Sequence, residues 1–297
     1  MLQALVPAYL ELDPSTPGLV SYGETGTRPD LADVGFFVPA YMNEEPTLHW
    51  AAHMPALEVL QLPTAGFEHA RSLRRPGLVV CNAAGVHDDS TAELAIGLIL
   101  ASQRGIDVAA RDMTTGTWAH RTYPSLADRS VVIVGAGRIA KAIAARLAAF
   151  ACTVTLVGRQ ARGRVRGVDE LDALAAQADI LVLAVPGDAS THHLVDARLL
   201  GLLPHGALVV NVARGSVVDT EALLVALQEG RVRAALDVTD PEPLPSDHPL
   251  WHAPGCLVTP HLGGNTTAFI PRARALVLAQ IERWRLHEPF AHVIWMD

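Results

Sequence analysis

The chain has 297 residues, half of them hydrophobic, and a formal net charge of −8. That length accommodates two domains of ordinary size, and that apolar content excludes a disordered chain. The acidic balance gives no basic footprint for nucleic acid, and the longest apolar run, Leu94 to Ala101, falls far short of the roughly 20 residues of a bilayer span. Met1 to Asp13 lacks a basic segment leading into an apolar core, so no secretory signal is expected. Cys81, Cys152 and Cys256 are scattered and odd in number, as expected of reduced thiols in a cytoplasmic protein.

In chain order, the runs 33–38, 57–62 and 78–81 predict strands separated by Pro/Gly turns. A long helix is predicted after Asp88-Asp89-Ser90, with Ser90 and Glu93 at capping-box spacing and the apolar pattern continuing to about Arg104. From Val131 onward strands and helices alternate. Strands are predicted at 131–134, 153–157, 180–185, 207–212, 233–238 and 256–259. Helices are predicted near 138–149, 169–177, 195–203 and 219–229, and an amphipathic last helix at 268–286 ends before Pro289. The strands are continuous Val/Leu/Ala runs, which implies a parallel sheet buried on both faces in a doubly wound α/β domain. Two lobes are expected: residues 1–88 with the tail 269–297, and residues 89–268.

Val131 to Val134 breaks at Gly135-Ala136-Gly137 and continues as the helical pattern from Arg138. This is the strand, tight turn and helix of a dinucleotide site. Gly135 permits the turn, Gly137 admits a pyrophosphate close to the backbone, and Ala140 keeps helix and strand close. In an NAD site a carboxylate about 20 residues further on, at the end of the second strand, holds the ribose 2′-OH. Here that strand ends Val157-Gly158-Arg159, with Arg162 and Arg164 following. A guanidinium suits a 2′-phosphate, so NADP(H) is expected to be preferred over NAD(H), with NAD(H) still possible; a solvated basic loop is the alternative.

Three further strand ends carry charge. Asn211-Val212-Ala213 leads into Arg214-Gly215, Leu236 into Asp237 with Glu242 beyond it, and Thr259-Pro260 into His261-Leu262-Gly263-Gly264. Ligands gather at the carboxyl ends of parallel strands. A cation, a carboxylate and an imidazole meeting there suit carbonyl reduction. The other histidines show no metal-ligand spacing, and no metal is expected.

These stretches, together with Pro241-Glu242-Pro243-Leu244-Pro245 and His248-Pro249-Leu250-Trp251, resemble the D-isomer-specific 2-hydroxyacid dehydrogenase family. The Gly158-Arg159 ending resembles its NADPH-dependent glyoxylate/hydroxypyruvate reductase branch. The resemblance implies two Rossmann-like doubly wound lobes, a cofactor domain inserted into a discontinuous flavodoxin-like substrate domain, with a cleft that closes between them. It implies that Arg214 holds a 2-oxo acid, that His261 is the general acid, and that Glu242 orients the imidazole. Asp237 would position the nicotinamide carboxamide. Arg138, Ile139, Val185, Pro186, Val212, Ala213, Arg214, His261 and Gly263 would join Gly135, Gly137, Arg159 and Arg162 around the cofactor. Gln61 to His69 resembles the family's substrate loop, with the N–H groups near Ala65 and Gly66 on the substrate carboxylate and Tyr41 and Met42 lining its pocket. A homodimer is implied as well. A nicotinamide-sensing module without catalysis and a formate- or phosphite-type dehydrogenase remain as alternatives.

Overall fold

The computed structural model describes residues 2–23, 29–42 and 47–296. The chain divides into two compact units, Met1–His87 with Thr266–Asp297, and Asp88–Asn265. The first unit opens with strands β1 (Gln3–Pro7), β2 (Leu19–Tyr22), β3 (Val34–Phe37), β4 (Val59–Gln61) and β5 (Val79–Cys81). The second runs through α1 (Asp88–Arg104), α2 (Ile106–Met113), β6 (Ser130–Val134), α3 (Arg138–Leu147), β7 (Thr153–Gly158), β8 (Arg166–Gly167) and α4 (Leu171–Ala175). It continues with β9 (Ile180–Leu183), α5 (Ala197–Leu202), β10 (Ala207–Asn211), α6 (Thr220–Gln228), β11 (Val232–Leu236) and β12 (Cys256–Val258). The chain then returns to the first unit with α7 (Phe269–Leu286) and β13 (Val293–Met296).

In the first unit the strand order is β13-β5-β4-β3-β1-β2, parallel except for β13, which pairs antiparallel with β5. Without that edge strand the order is the 2-1-3-4-5 of a flavodoxin-like sheet. Helix α7 lays Phe269, Ala273, Val277 and Ile281 along one stripe, four residues apart, against Ala4, Val6, Phe36 and Val59. Gly35 makes this approach possible, because a Cβ there would lie 2.6 Å from the Trp284 ring. The polar exception on the same helix is the fully buried Gln280. Its amide donates to Gln61 Oε1 (3.0 Å) and to the Ala291 carbonyl (2.9 Å), and its own oxygen accepts from Ala291 N–H (3.0 Å).

In the second unit the order β12-β11-β10-β9-β6-β7-β8 is all parallel. Seven strands in this sequence contain the 3-2-1-4-5-6 order of a dinucleotide-binding sheet, whose switch point lies between β6 and β9. Alternate residues feed opposite faces. Val131 and Ile133 pack with Ala95, Ile99, Ile143 and Leu147 of α1 and α3, whereas Val132 and Val134 pack with α4, α5 and α6. Every residue of β9 and β10 is buried, which explains why these strands read as unbroken apolar runs.

The expected capping box is overturned. Helix α1 starts at Asp88, so Ser90 sits buried in its first turn instead of capping it, and Glu93 lies beyond that turn. Asp88 and Asp89 place negative charge at the positive helix end, where they bind Arg138 (2.6 Å) and Arg146 (2.9 Å) of α3. The first turn is thus held by two ion pairs to a neighbouring helix.

Because Gln280 satisfies three partners without access to water, Gln280→Leu should lower stability by about 3 kcal/mol, read as a fall in the urea midpoint. A midpoint unchanged from the parent would show that the network contributes nothing.

Candidate active site

The carboxyl ends of β6, β7 and β9 border a cleft of about 710 Å³. Its floor is Gly135-Ala136-Gly137, one side is Val157 to Arg162, and the other is Ala184-Val185-Pro186 with Asp188, Ser190 and Thr191. Gly135 has φ +136°, and a Cβ there would lie 2.3 Å from the Ala184 carbonyl, so only glycine fits. At Gly137, the residue preceding α3, a Cβ would meet nothing within 4 Å. The backbone at Gly137, just before α3, therefore faces open space suited to a phosphate. A tight turn, an uncovered helix start and apolar walls at Val157, Val168 and Leu194 fit the pyrophosphate and adenosine of a dinucleotide.

Gly158 ends β7, and Arg159 beside it is 79% exposed, 3.7 Å from the Asp188 carboxylate. Arg162 closes a small hairpin with Val165 through two backbone hydrogen bonds of 2.9 Å. Arg159, Arg162, Val185 and Pro186 all line the cleft, whereas Arg138 does not and is bound to Asp88. Asp188 also lines it and was not singled out from the sequence, because its place follows only from β9 and β7 flanking β6.

The second group of residues lies at the ends of β10, β11 and β12. Asn211, at the end of β10 and almost fully buried, accepts from Ala213 N–H (3.0 Å) and donates to the Arg214 carbonyl (2.9 Å). This clamps the backbone that carries Arg214. A Cβ on Gly215 would lie 1.9 Å from the Thr239 carbonyl, and one on Gly187 would lie 2.7 Å from Arg214 Cγ. Two glycines thus let the loops after β10 and β11 touch and leave room for the arginine stem. Asn211, Gly187 and Gly215 serve this geometry, the glycines through contacts between distant loops and Asn211 through local bonds.

Asp237, 3% exposed, does something the sequence does not suggest. Its carboxylate accepts from Thr259 Oγ1 (2.7 Å), Leu262 N–H (2.7 Å) and Gly263 N–H (2.9 Å), while its carbonyl accepts from His261 N–H (2.8 Å). These bonds wrap the Thr259–Gly263 loop around one carboxylate. They also hold His261 at φ +51°, a left-handed conformation costly for a residue with a side chain. His261 Nδ1 then lies 2.6 Å from Glu242 Oε1.

The charges of this pair are coupled. The bond to Glu242 raises the His261 pKa above the ordinary imidazole value, against the opposing effects of burial and of the Arg214 charge. The same bond, helped by the imidazole and Arg214 charges, lowers the Glu242 pKa against burial. The arrangement favours imidazolium beside carboxylate over the two neutral groups. Its contribution to stability fades as pH falls through the lowered Glu242 pKa, or rises through the raised His261 pKa. His261 can therefore hold a proton at Nε2 while Nδ1 is occupied.

In the first unit, the turn after β4 is braced by Thr64, whose hydroxyl donates to the Gly66 carbonyl (2.6 Å), and by Asn82, which donates to the Ala65 carbonyl (2.6 Å). No hydrogen bond occupies the Ala65 and Gly66 N–H groups among the described residues. Tyr41 packs at 4.2 Å from Phe269 and stacks at 5.3 Å on His87, whose Nε2 bonds the Pro63 carbonyl; Met42 is exposed.

A family model described as "D-isomer specific 2-hydroxyacid dehydrogenase, NAD binding domain" matches residues 96–263. A glyoxylate reductase from Thermofilum pendens is 36% identical over 227 residues, 71% of this chain and 67% of that protein. The human glyoxylate reductase/hydroxypyruvate reductase is 34% identical over 224 residues, 71% of this chain and 68% of that protein. Among solved structures, an NADPH-dependent glyoxylate/hydroxypyruvate reductase from Sinorhizobium meliloti, in complex with NADP and malonate, superposes with a TM-score of 0.82. It is 28% identical, and the match covers 99% of this chain and 96% of that one. The chain belongs to the D-isomer specific 2-hydroxyacid dehydrogenase family.

In an NMR titration His261 should protonate with a midpoint above the ordinary imidazole value of 6.5. Glu242→Gln should move that midpoint down, because burial and the Arg214 charge then lose their main counterweight and only the Asp237 charge still raises it. An unmoved midpoint would mean that Glu242 does not set the charge of His261.

Proposed function

We propose that this protein reduces a small 2-oxo acid of the glyoxylate or hydroxypyruvate kind to the D-2-hydroxy acid, with NADPH preferred and NADH possible. The observation that carries this reading is the 2.6 Å His261–Glu242 pair beside Arg214, at the carboxyl ends of neighbouring strands of a dinucleotide-binding sheet. The names of the relatives support the substrate class, and the NADP complex of the Sinorhizobium meliloti enzyme supports the cofactor.

In this reading the second unit is the cofactor domain and the first the substrate domain. Gly135, Gly137, Arg138 and Ile139 hold the pyrophosphate, Arg159 and Arg162 meet the 2′-phosphate, and Val185 and Pro186 border the adenosine. Val212, Ala213, Asp237 and Gly263 support the nicotinamide end. Asp237 is largely committed to the His261 loop, so it serves the ring mainly by shaping that loop. Bound there, the nicotinamide supplies a hydride equivalent to the carbonyl carbon.

The chain's own residues do the rest. Arg214 pairs with the substrate carboxylate and carbonyl oxygen and draws electron density toward that oxygen. His261 delivers the Nε2 proton to the same oxygen as it gains charge, and takes it back in the oxidative direction. Glu242 fixes the ring and stabilises its charged form. In the first unit we assign the Ala65-Gly66 turn to substrate, through N–H groups suited to a carboxylate oxygen. We extend the reading to a cytoplasmic homodimer. Ile106, Met113 and Trp118, 56%, 80% and 98% exposed, offer apolar surface for a second copy, and no described helix is long and apolar enough to cross a membrane.

His261→Ala should lower kcat for NADPH oxidation with glyoxylate or hydroxypyruvate by more than about a hundredfold and leave NADPH binding within about twofold. Retained turnover would remove His261 as the acid. Cofactor binding by the parent protein without consumption of any 2-oxo acid would overturn the reductase reading itself.

A further inference from the structure

The Arg159 end of the cleft holds one acid that the cofactor reading leaves without a task. In NAD-binding sheets of this topology a carboxylate at the end of the second strand takes the adenosine ribose hydroxyl. Here that position is Gly158, and the packing crowds any side chain there. A Cβ on Gly158 would lie 3.0 Å from Val165 Cγ1 and 3.3 Å from Ala136 Cβ, tighter than ordinary van der Waals contact on two sides. The hairpin joining Arg162 and Val165 fixes the first of these neighbours.

A carboxylate nevertheless reaches the same end of the cleft from its opposite wall. Asp188, in the loop after β9, lines the cleft with Gly158 and Arg159. Its Oδ1 accepts from Ser190 N–H (2.8 Å) and from the Ser190 hydroxyl (2.5 Å), which fixes the side chain. Its Oδ2 lies 3.7 Å from the Arg159 guanidinium. The Asp188 side chain is 24% exposed and that of Arg159 79%, so the acid is the anchored member and the arginine the adaptable one. An exposed pair at this separation is weak and yields readily to a ligand.

We infer that Asp188 substitutes for the missing strand-end acid: it accepts a ribose hydroxyl of NAD(H), while Arg159 binds the 2′-phosphate of NADP(H). This rests on the dinucleotide reading of the cleft and deepens it by naming the residue that sets cofactor choice. With NADP(H), Arg159 turns from Asp188 to the phosphate, and the fixed Asp188 charge opposes that phosphate. With NAD(H), the carboxylate receives a neutral donor and Arg159 remains its counter-ion. The two residues form opposing halves of one selector, and Asp188 moderates the preference that Arg159 creates.

The test measures dissociation constants of NADPH and NADH by cofactor fluorescence, independently of turnover. Asp188→Asn keeps an oxygen for the Ser190 bonds while it removes the charge and turns the second acceptor oxygen into a donor. Asp188→Asn should weaken NADH about tenfold while NADPH binds as tightly as before or tighter. Arg159→Ala should weaken NADPH about tenfold without weakening NADH. Equal weakening of both cofactors by Asp188→Asn, or unchanged NADH affinity, overturns the inference and leaves the parent's cofactor binding intact. A parent that binds neither cofactor overturns the dinucleotide reading and this inference together. Absence of 2-oxo acid reduction with the affinity shifts present would sink only the reductase proposal.

Discussion

The hydrogen bond between Glu242 and His261 Nδ1 decides which form of the imidazole the second unit presents, and the proposed chemistry depends on it. Two partly exposed side chains would hold such a geometry poorly by themselves, since side-chain entropy opposes it. The backbone supplies what they lack. Asp237 is buried at the end of β11 and ties the next loop to itself through four hydrogen bonds, two of them to Leu262 and Gly263 N–H groups. The left-handed backbone at His261 is maintained by that knot, and the ring is directed at Glu242 as a result. A buried carboxylate fixes the loop and a partly exposed one sets the charge.

The parallel sheet explains why these groups share one edge. Strands β10, β11 and β12 run the same way in register, so Arg214, Asp237 and His261 leave the sheet at its carboxyl end. Gly215 allows the loops after β10 and β11 into contact, and Asn211 clamps the turn that bears Arg214. The same edge, two strands further across the switch point, carries the glycine turn and the cleft. A single topological rule therefore places the glycine-turn cleft and the His261–Glu242 pair on the same side of the second unit.

Much of this is legible in the amino-acid sequence. The second unit's strands are buried on both faces, so their runs of Val, Leu and Ala are unambiguous. The glycine turn and the order of Arg214, Glu242 and His261 carry the family resemblance. The first unit was harder to read. Strand β2 is half-buried, and β13 is a half-exposed edge strand that pairs antiparallel after a long helix. The capping box at Ser90 failed because ion pairs between helices replaced local capping. Asp188, Asn211 and the knot around Asp237 were invisible for a different reason. Arg159 beside Asp188 and the loop around Asp237 lie on other elements, Asn211 bonds Ala213 and Arg214 only two and three residues on, and a short polar side chain that bonds a loop gives no periodic signal.

The most direct test of the central claim is the pH dependence of kcat/KM for reduction of glyoxylate by NADPH. If His261 donates the proton and Glu242 raises its pKa, the rate falls on the alkaline side through a midpoint above the ordinary imidazole value of 6.5. The midpoint should also agree with the titration of His261 in the free protein. A profile that stays flat through that range, or a midpoint unrelated to His261, would contradict the account.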